Sequence, residues 1–118
     1  MSEPTIFTKI INRELPSEIV FEDDQIIVIK TIQPQAPVHL LGITKHPFSS
    51  IREVLADEAN KDLLWQLYSQ LNLIAEDLGI AESGFRLSTN IGKDGGQTIP
   101  HFHVHLTGGA PLGLHTNE

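Results

Sequence analysis

The sequence predicts an α+β domain with a mostly antiparallel sheet, one long helix and a short helix near the N-terminus. Three observations carry this. Leu64, Leu67, Leu71, Ile74 and Leu78 recur at helical spacing and mark one long amphipathic helix. Short runs rich in Val, Ile and Phe lie before and after that helix, so strands and helix are segregated along the chain. The stretch from Gln97 to Leu106 alternates His101, His103 and His105 with Phe102, Val104 and Leu106, the pattern of a half-buried strand.

Residues 5–13 place Ile6, Phe7, Ile10 and Ile11 on one helical face, and Leu15-Pro16 ends that helix. Ile19-Val20-Phe21 and Ile26-Ile27-Val28-Ile29 flank Asp23-Asp24 and predict a hairpin. Pro34-Gln35-Ala36-Pro37 breaks the chain, because each proline lacks a donor and restricts its predecessor. Val38 to Ile43 then reads as a buried strand carrying His39, with Lys45-His46-Pro47-Phe48 closing it. The long helix is expected over 57–78, with Asp57 as N-cap and Gly79 as the C-terminal stop. Trp65 and Tyr68 lie beside its stripe and suit packing or a subunit contact. Phe85 to Asn90 alternates again and leads through Gly92, Gly95 and Gly96 into the histidine strand.

At 118 residues the chain suits one domain, 1–118, with a core that needs no staples. Its 40% apolar and 19% charged content is that of a soluble globular protein. A net charge of −7 argues against a nucleic-acid partner, and no apolar stretch is long enough for a membrane span. The absence of cysteine rules out disulfide and thiolate chemistry. With no signal-peptide pattern at Met1-Ser2-Glu3-Pro4, the expected location is cytoplasmic.

The alternating histidines admit three readings. A His-x-His pair can bind zinc, but a strand separates the anchors of His101 and His105 by roughly 13 Å. A neutral imidazole can instead attack phosphorus and form a covalent phospho- or nucleotidyl-histidine. Closely spaced imidazoles resist simultaneous protonation, so the protons belong to the cluster and roles divide near neutral pH. Gly92, Gly95 and Gly96 offer amides for an anion nest beside them. The third reading is a half-exposed polar strand face after an ordinary glycine turn. The nucleophilic reading uses the most features and is preferred. Thr98 has the opposite parity to the histidines and reaches their site only if the strand bends at Pro100.

His101-Phe102-His103-Val104-His105-Leu106, preceded by Asp94-Gly95-Gly96-Gln97-Thr98, resembles the histidine triad (HIT) family of nucleotide hydrolases and transferases, and within it the Hint branch of nucleoside phosphoramidases. Ile6 to Ile11, Phe21 to Asp24, Pro34 to His39 and Asn90 extend the resemblance over nearly the whole chain. It implies a HIT-like fold, a homodimer with one sheet through both subunits, no metal and no cofactor. It implies hydrolysis of a purine nucleoside phosphoramidate, releasing AMP or GMP from an amine. His103 matches the nucleophile, His105 its phosphate-contacting neighbour, and His39 and His101 the supporting histidines. Asn90, Gly96 and Thr98 match contacts to the phosphate and bridging atom. Ile6, Phe7, Ile10 and Leu15, with Phe21 and Ile29 as further candidates, match the base pocket. Thr31 stands where the branch usually has an aspartate that grips the ribose, and Ile32 adjoins it. Thr107 replaces an apolar residue, His46 has no matching role, and the tail lacks the tryptophan of some relatives. Alternatives are a nucleotide-binding interaction protein with vestigial hydrolysis and a dinucleoside polyphosphate hydrolase.

Overall fold

A computed structural model describes residues 4–113. Helix α1 (Ile6–Ile11) is followed by strands β1 (Ile19–Glu22), β2 (Ile26–Lys30) and β3 (Val38–Thr44). A short helix α2 (Ile51–Leu55), a 3-10 turn (Glu58–Asn60) and the long helix α3 (Lys61–Asp77) come next, then β4 (Phe85–Ser88) and β5 (His103–Gly108). The five strands form one fully antiparallel sheet in the order β1-β2-β3-β5-β4.

The two faces of the sheet do different work. On one face Ile26, Val28, Leu40, Val104 and Leu106 pack with Leu67, Leu71, Ile74 and Ala75 of α3. Helix and sheet approach so closely that a Cβ on Gly42 would meet both methyls of Leu71 at 3.0 Å. On the other face Ile27, Ile29, Leu41 and Ile43 pack with Phe7 and Ile10 of α1. With both faces of β2 covered, Ile26, Ile27, Val28 and Ile29 are all buried, which accounts for their unbroken apolar run. Helix α1 shields only part of its face. The remainder holds the functional groups.

Local chemistry explains the hairpin. Asp23 Oδ1 accepts from the Gln25 and Ile26 amides and turns the chain, while Oδ2 accepts from Gln66 on α3. Glu22 pairs with both Arg13 and Lys45, joining the end of α1 to the sheet. Those two partners, Lys45 first, hold its carboxyl below the ordinary value.

Several expectations need correction. Asp57 caps the 3-10 turn through Ala59, and α3 begins only at Lys61. Leu78 is the C-cap and 48% exposed, so it leaves the buried stripe. Helix α2 was not expected; Ser50 caps it through the Arg52 amide. A bulge between Ile19 and Phe21 shifts the register so that Phe21 pairs with Val28 and packs on the α3 side, away from the suggested base pocket. Trp65 is 76% exposed, whereas Tyr68 packs partly into the core. His115 and the rest of the tail beyond Gly113 lie outside the described residues.

Candidate active site

The antiparallel register sets the site. Ile43 pairs with His103, Leu41 with His105 and His39 with Thr107; on the other side of β5, Ser88 pairs with His105 and Arg86 with Thr107. Paired residues share a face. His39, His103 and His105 therefore rise on the α1 face, beside Ser88 and Arg86.

The three triad histidines do not form one row. Residues 99–101 turn, with the His101 amide bonded to the Ile99 carbonyl, and the Phe102 amide reaches the Phe48 carbonyl at 2.7 Å. The strand starts only at His103. His101 is fully buried behind the site, where its Nε2 donates to the Thr44 carbonyl at 2.7 Å. His39 takes the third place instead. Ring centroids are 5.1 Å apart for His103 and His105 and 5.3 Å for His39 and His105.

The partners assign the protons. His103 Nδ1 lies 2.7 Å from the His101 carbonyl, which can only accept, so Nδ1 carries the hydrogen. In the neutral ring the lone pair then sits on Nε2. The Gln35 amide donates to His39 Nδ1 at 3.1 Å, so neutral His39 donates from Nε2 to His105 Nδ1 at 3.0 Å. His105, accepting on Nδ1, holds its own proton on Nε2 when neutral. At His101, Nε2 donates and Nδ1 accepts from the Thr5 hydroxyl at 3.4 Å. Thr5 also caps α1, which places Phe7 edge-on to His103 at 4.9 Å and to His101 at 5.8 Å.

Burial lowers the pKa of His39, His101 and His103 below the ordinary 6.5. Hydrogen bonds to backbone carbonyls pull the other way at His101 and His103, and the His103 and His46 rings add to the lowering at His101. These three rings are thus neutral at neutral pH. Between 6.5 and the lowered folded values, the unfolded chain binds more protons than the folded one. The stability contributed by the neutral rings is present above pH 6.5 and lost as pH falls through that window. Thermal melts at neutral pH and near pH 5 should show a lower Tm in acid; a higher one would contradict this account.

A cleft of about 970 Å³ opens above these rings. His39, His103 and His105 line it, as do Asn90, Gly96 and Thr98 on one side. Ile6, Phe7, Ile10 and Leu15 form an apolar wall, with Thr31 and Ile32 at its edge. The bend before His103 removes the parity problem at Thr98. Of the residues singled out in the sequence, Phe21, Gly92 and Gly95 do not line the cleft, and His101 stands behind it, where its carbonyl holds His103. Ser88, Arg86, Gln35 and Leu41 were missed; the alternation of Arg86 and Ser88 was visible, but not which face it would share.

The glycine turn differs from the expected nest. The Gly92 amide donates to Gln97 Oε1 and the Gly96 amide to the Lys93 carbonyl. At Gly95 a Cβ would lie 2.2 Å from the Ile91 carbonyl oxygen, so only glycine fits. Asn90 Nδ2 bonds the Gly95 carbonyl at 2.8 Å, and Gln97 Nε2 ties the turn to Ser49 and Ile99. The turn is a braced wall. Among the described residues, no group of three or more His, Asp or Glu side chains is arranged to hold a metal ion. Nor is any helix there long and apolar enough to cross a membrane.

A family model described as "Scavenger mRNA decapping enzyme C-term binding" matches residues 4–114. The purine nucleoside phosphoramidase of Escherichia coli K12 is 44% identical over 113 residues, 96% of this chain and 93% of that protein. A HIT family hydrolase from Clostridium thermocellum superposes with a TM-score of 0.88 at 47% identity, over 97% of each chain. The chain belongs to the histidine triad family. An adenylylsulfatase of Arabidopsis thaliana is 45% identical to this histidine triad protein over 109 residues, 92% of this chain and 74% of that one. The fold is therefore the HIT-like fold expected from the sequence.

Proposed function

We propose that this histidine triad protein hydrolyses purine nucleoside phosphoramidates through a covalent nucleotidyl-His103 intermediate. One observation carries the reading. The Nδ1 proton of His103 is held by the His101 carbonyl, so the lone pair of a buried, neutral ring is on Nε2, in a cleft with an apolar wall on one side.

The base packs on Ile6, Phe7, Ile10 and Leu15. His103 Nε2 forms a bond to the α-phosphorus as the P–N bond breaks, and the departing amine takes its electron pair and a proton from the cluster. Water then attacks phosphorus, the His103–phosphorus bond breaks, and the nucleoside monophosphate leaves while the proton returns to the cluster. His105 Nε2–H, with Asn90 and Thr98, supplies donors to the phosphate oxygens. Preorganised donors of this kind and the positioning of the base provide much of the barrier reduction. His39 keeps His105 in the donating tautomer. A homodimer belongs to the same reading, as the resemblance to the family implies.

Incubation with adenosine 5′-phosphoramidate in the presence of a chelator should release AMP. Rapid quench and mass spectrometry should find a nucleotidyl adduct on His103. AMP release that stops with the chelator, or an adduct on another residue, would overturn the mechanism. Thr31 favours a second reading, nucleotide binding with slow hydrolysis. Its hydroxyl accepts from the Gln33 amide at 3.3 Å and offers the ribose one donor, where a carboxylate would accept twice. Tight AMP binding in calorimetry with negligible turnover would support it.

A further inference from the structure

The chain carries 15 acidic residues against 8 Lys and Arg, yet among the described residues no Asp or Glu lines the cleft. Among the same residues, the permanent cations that line it are Lys30 and Arg86. Lys30 pairs with Glu18 at 2.7 Å. Arg86 forms no ion pair among the described residues; its Nη2 donates to the Gly113 carbonyl. That contact uses one of five guanidinium donors, and the fork suits an oxyanion.

Its position separates it from the base wall. Helix α1 packs over β2 and β3, whereas Arg86 stands on the edge strand β4 with β5 between. Ser88 faces His105, and Arg86 lies two residues further along the strand, roughly 7 Å on. The base wall and the nucleophile account for one side of the cleft. The side bounded by Arg86, Leu112 and Gly113 remains for the leaving group. A second negative charge there would be repelled by the substrate's own phosphate unless a cation offset it, and no carboxylate among the described lining residues weakens the field of that cation.

We propose that Arg86 is a specificity residue for the leaving group, and that the cleft prefers amines bearing a carboxylate over neutral amines. This rests on the phosphoramidase reading. The test compares AMP joined through nitrogen to glycine with AMP joined to glycinamide, a pair of nearly equal size and different charge. The wild-type kcat/KM ratio of glycine to glycinamide conjugate should be about ten, the scale of one charge-assisted hydrogen bond at a partly open site. Arg86→Gln should bring the ratio close to one, and Arg86→Lys should leave it between the two. A wild-type ratio of one or less overturns the proposal. So does an unchanged ratio in Arg86→Gln, which would make the side chain a strap on Gly113 alone. If neither conjugate is cleaved, the phosphoramidase reading fails separately, and the same ratio read from calorimetric dissociation constants still decides the role of Arg86.

Discussion

Under the proposed mechanism, His103→Ala should lower kcat on an adenosine phosphoramidate by at least about 10³-fold, because it removes the ring assigned to the covalent intermediate. His105 has its Nδ1 facing His39 and its proton on Nε2, the wrong tautomer for attack on the same phosphorus. His101 is buried outside the cleft. The fold should survive, since the lost hydrogen bond to the His101 carbonyl contributes about 1 kcal/mol to stability. Steady-state kinetics together with circular dichroism and a thermal melt check both halves. Near-normal turnover by a folded His103→Ala protein would reject the nucleophile assignment.

Phe102→Ala should destabilise the protein by about 3–5 kcal/mol, with a drop in Tm on the order of 10 °C or more. Phe102 is 1% exposed and packs in the α3-side core. It is also the residue between His101 and His103. Its ring anchors the strand on one face while the two imidazoles are placed from the other, so the cavity left by alanine would loosen the carbonyl that holds His103. Urea unfolding gives the stability, and kcat/KM measured well below the new melting temperature should fall as well. A loss under 1 kcal/mol would show that the turn at 99–101 holds its place without this packing.

The elements with a strong local signal were legible. The Leu64–Leu67–Leu71–Ile74 stripe needed nothing beyond its spacing, nor did the β-rich runs around Asp23. Part of the cleft could be named as well, since Ile6, Phe7, Ile10, Leu15, Asn90, Gly96 and Thr98 all line it. What failed was extrapolation of a local period across a bend. Alternation suggested that His101, His103 and His105 share a row, but the Thr44 carbonyl and the Phe48 carbonyl draw residues 101 and 102 out of strand geometry. Phe21 was misplaced for a similar reason, because one bulge reverses every later side chain. Helix α2 carries only five residues, too few for periodicity to register.

Residue order thus specified which strands and helices form, that imidazoles alternate with core residues, and that a glycine turn precedes them, since these depend on neighbours a few positions apart. Contacts between distant segments decided the rest. His39 meets His105 from 66 positions away, Thr44 captures His101 from 57, and the Arg86–Thr107 pairing turns Arg86 to the cleft side. Proton placement follows from those partners, because an imidazole acquires a defined donor and acceptor only when something faces each nitrogen.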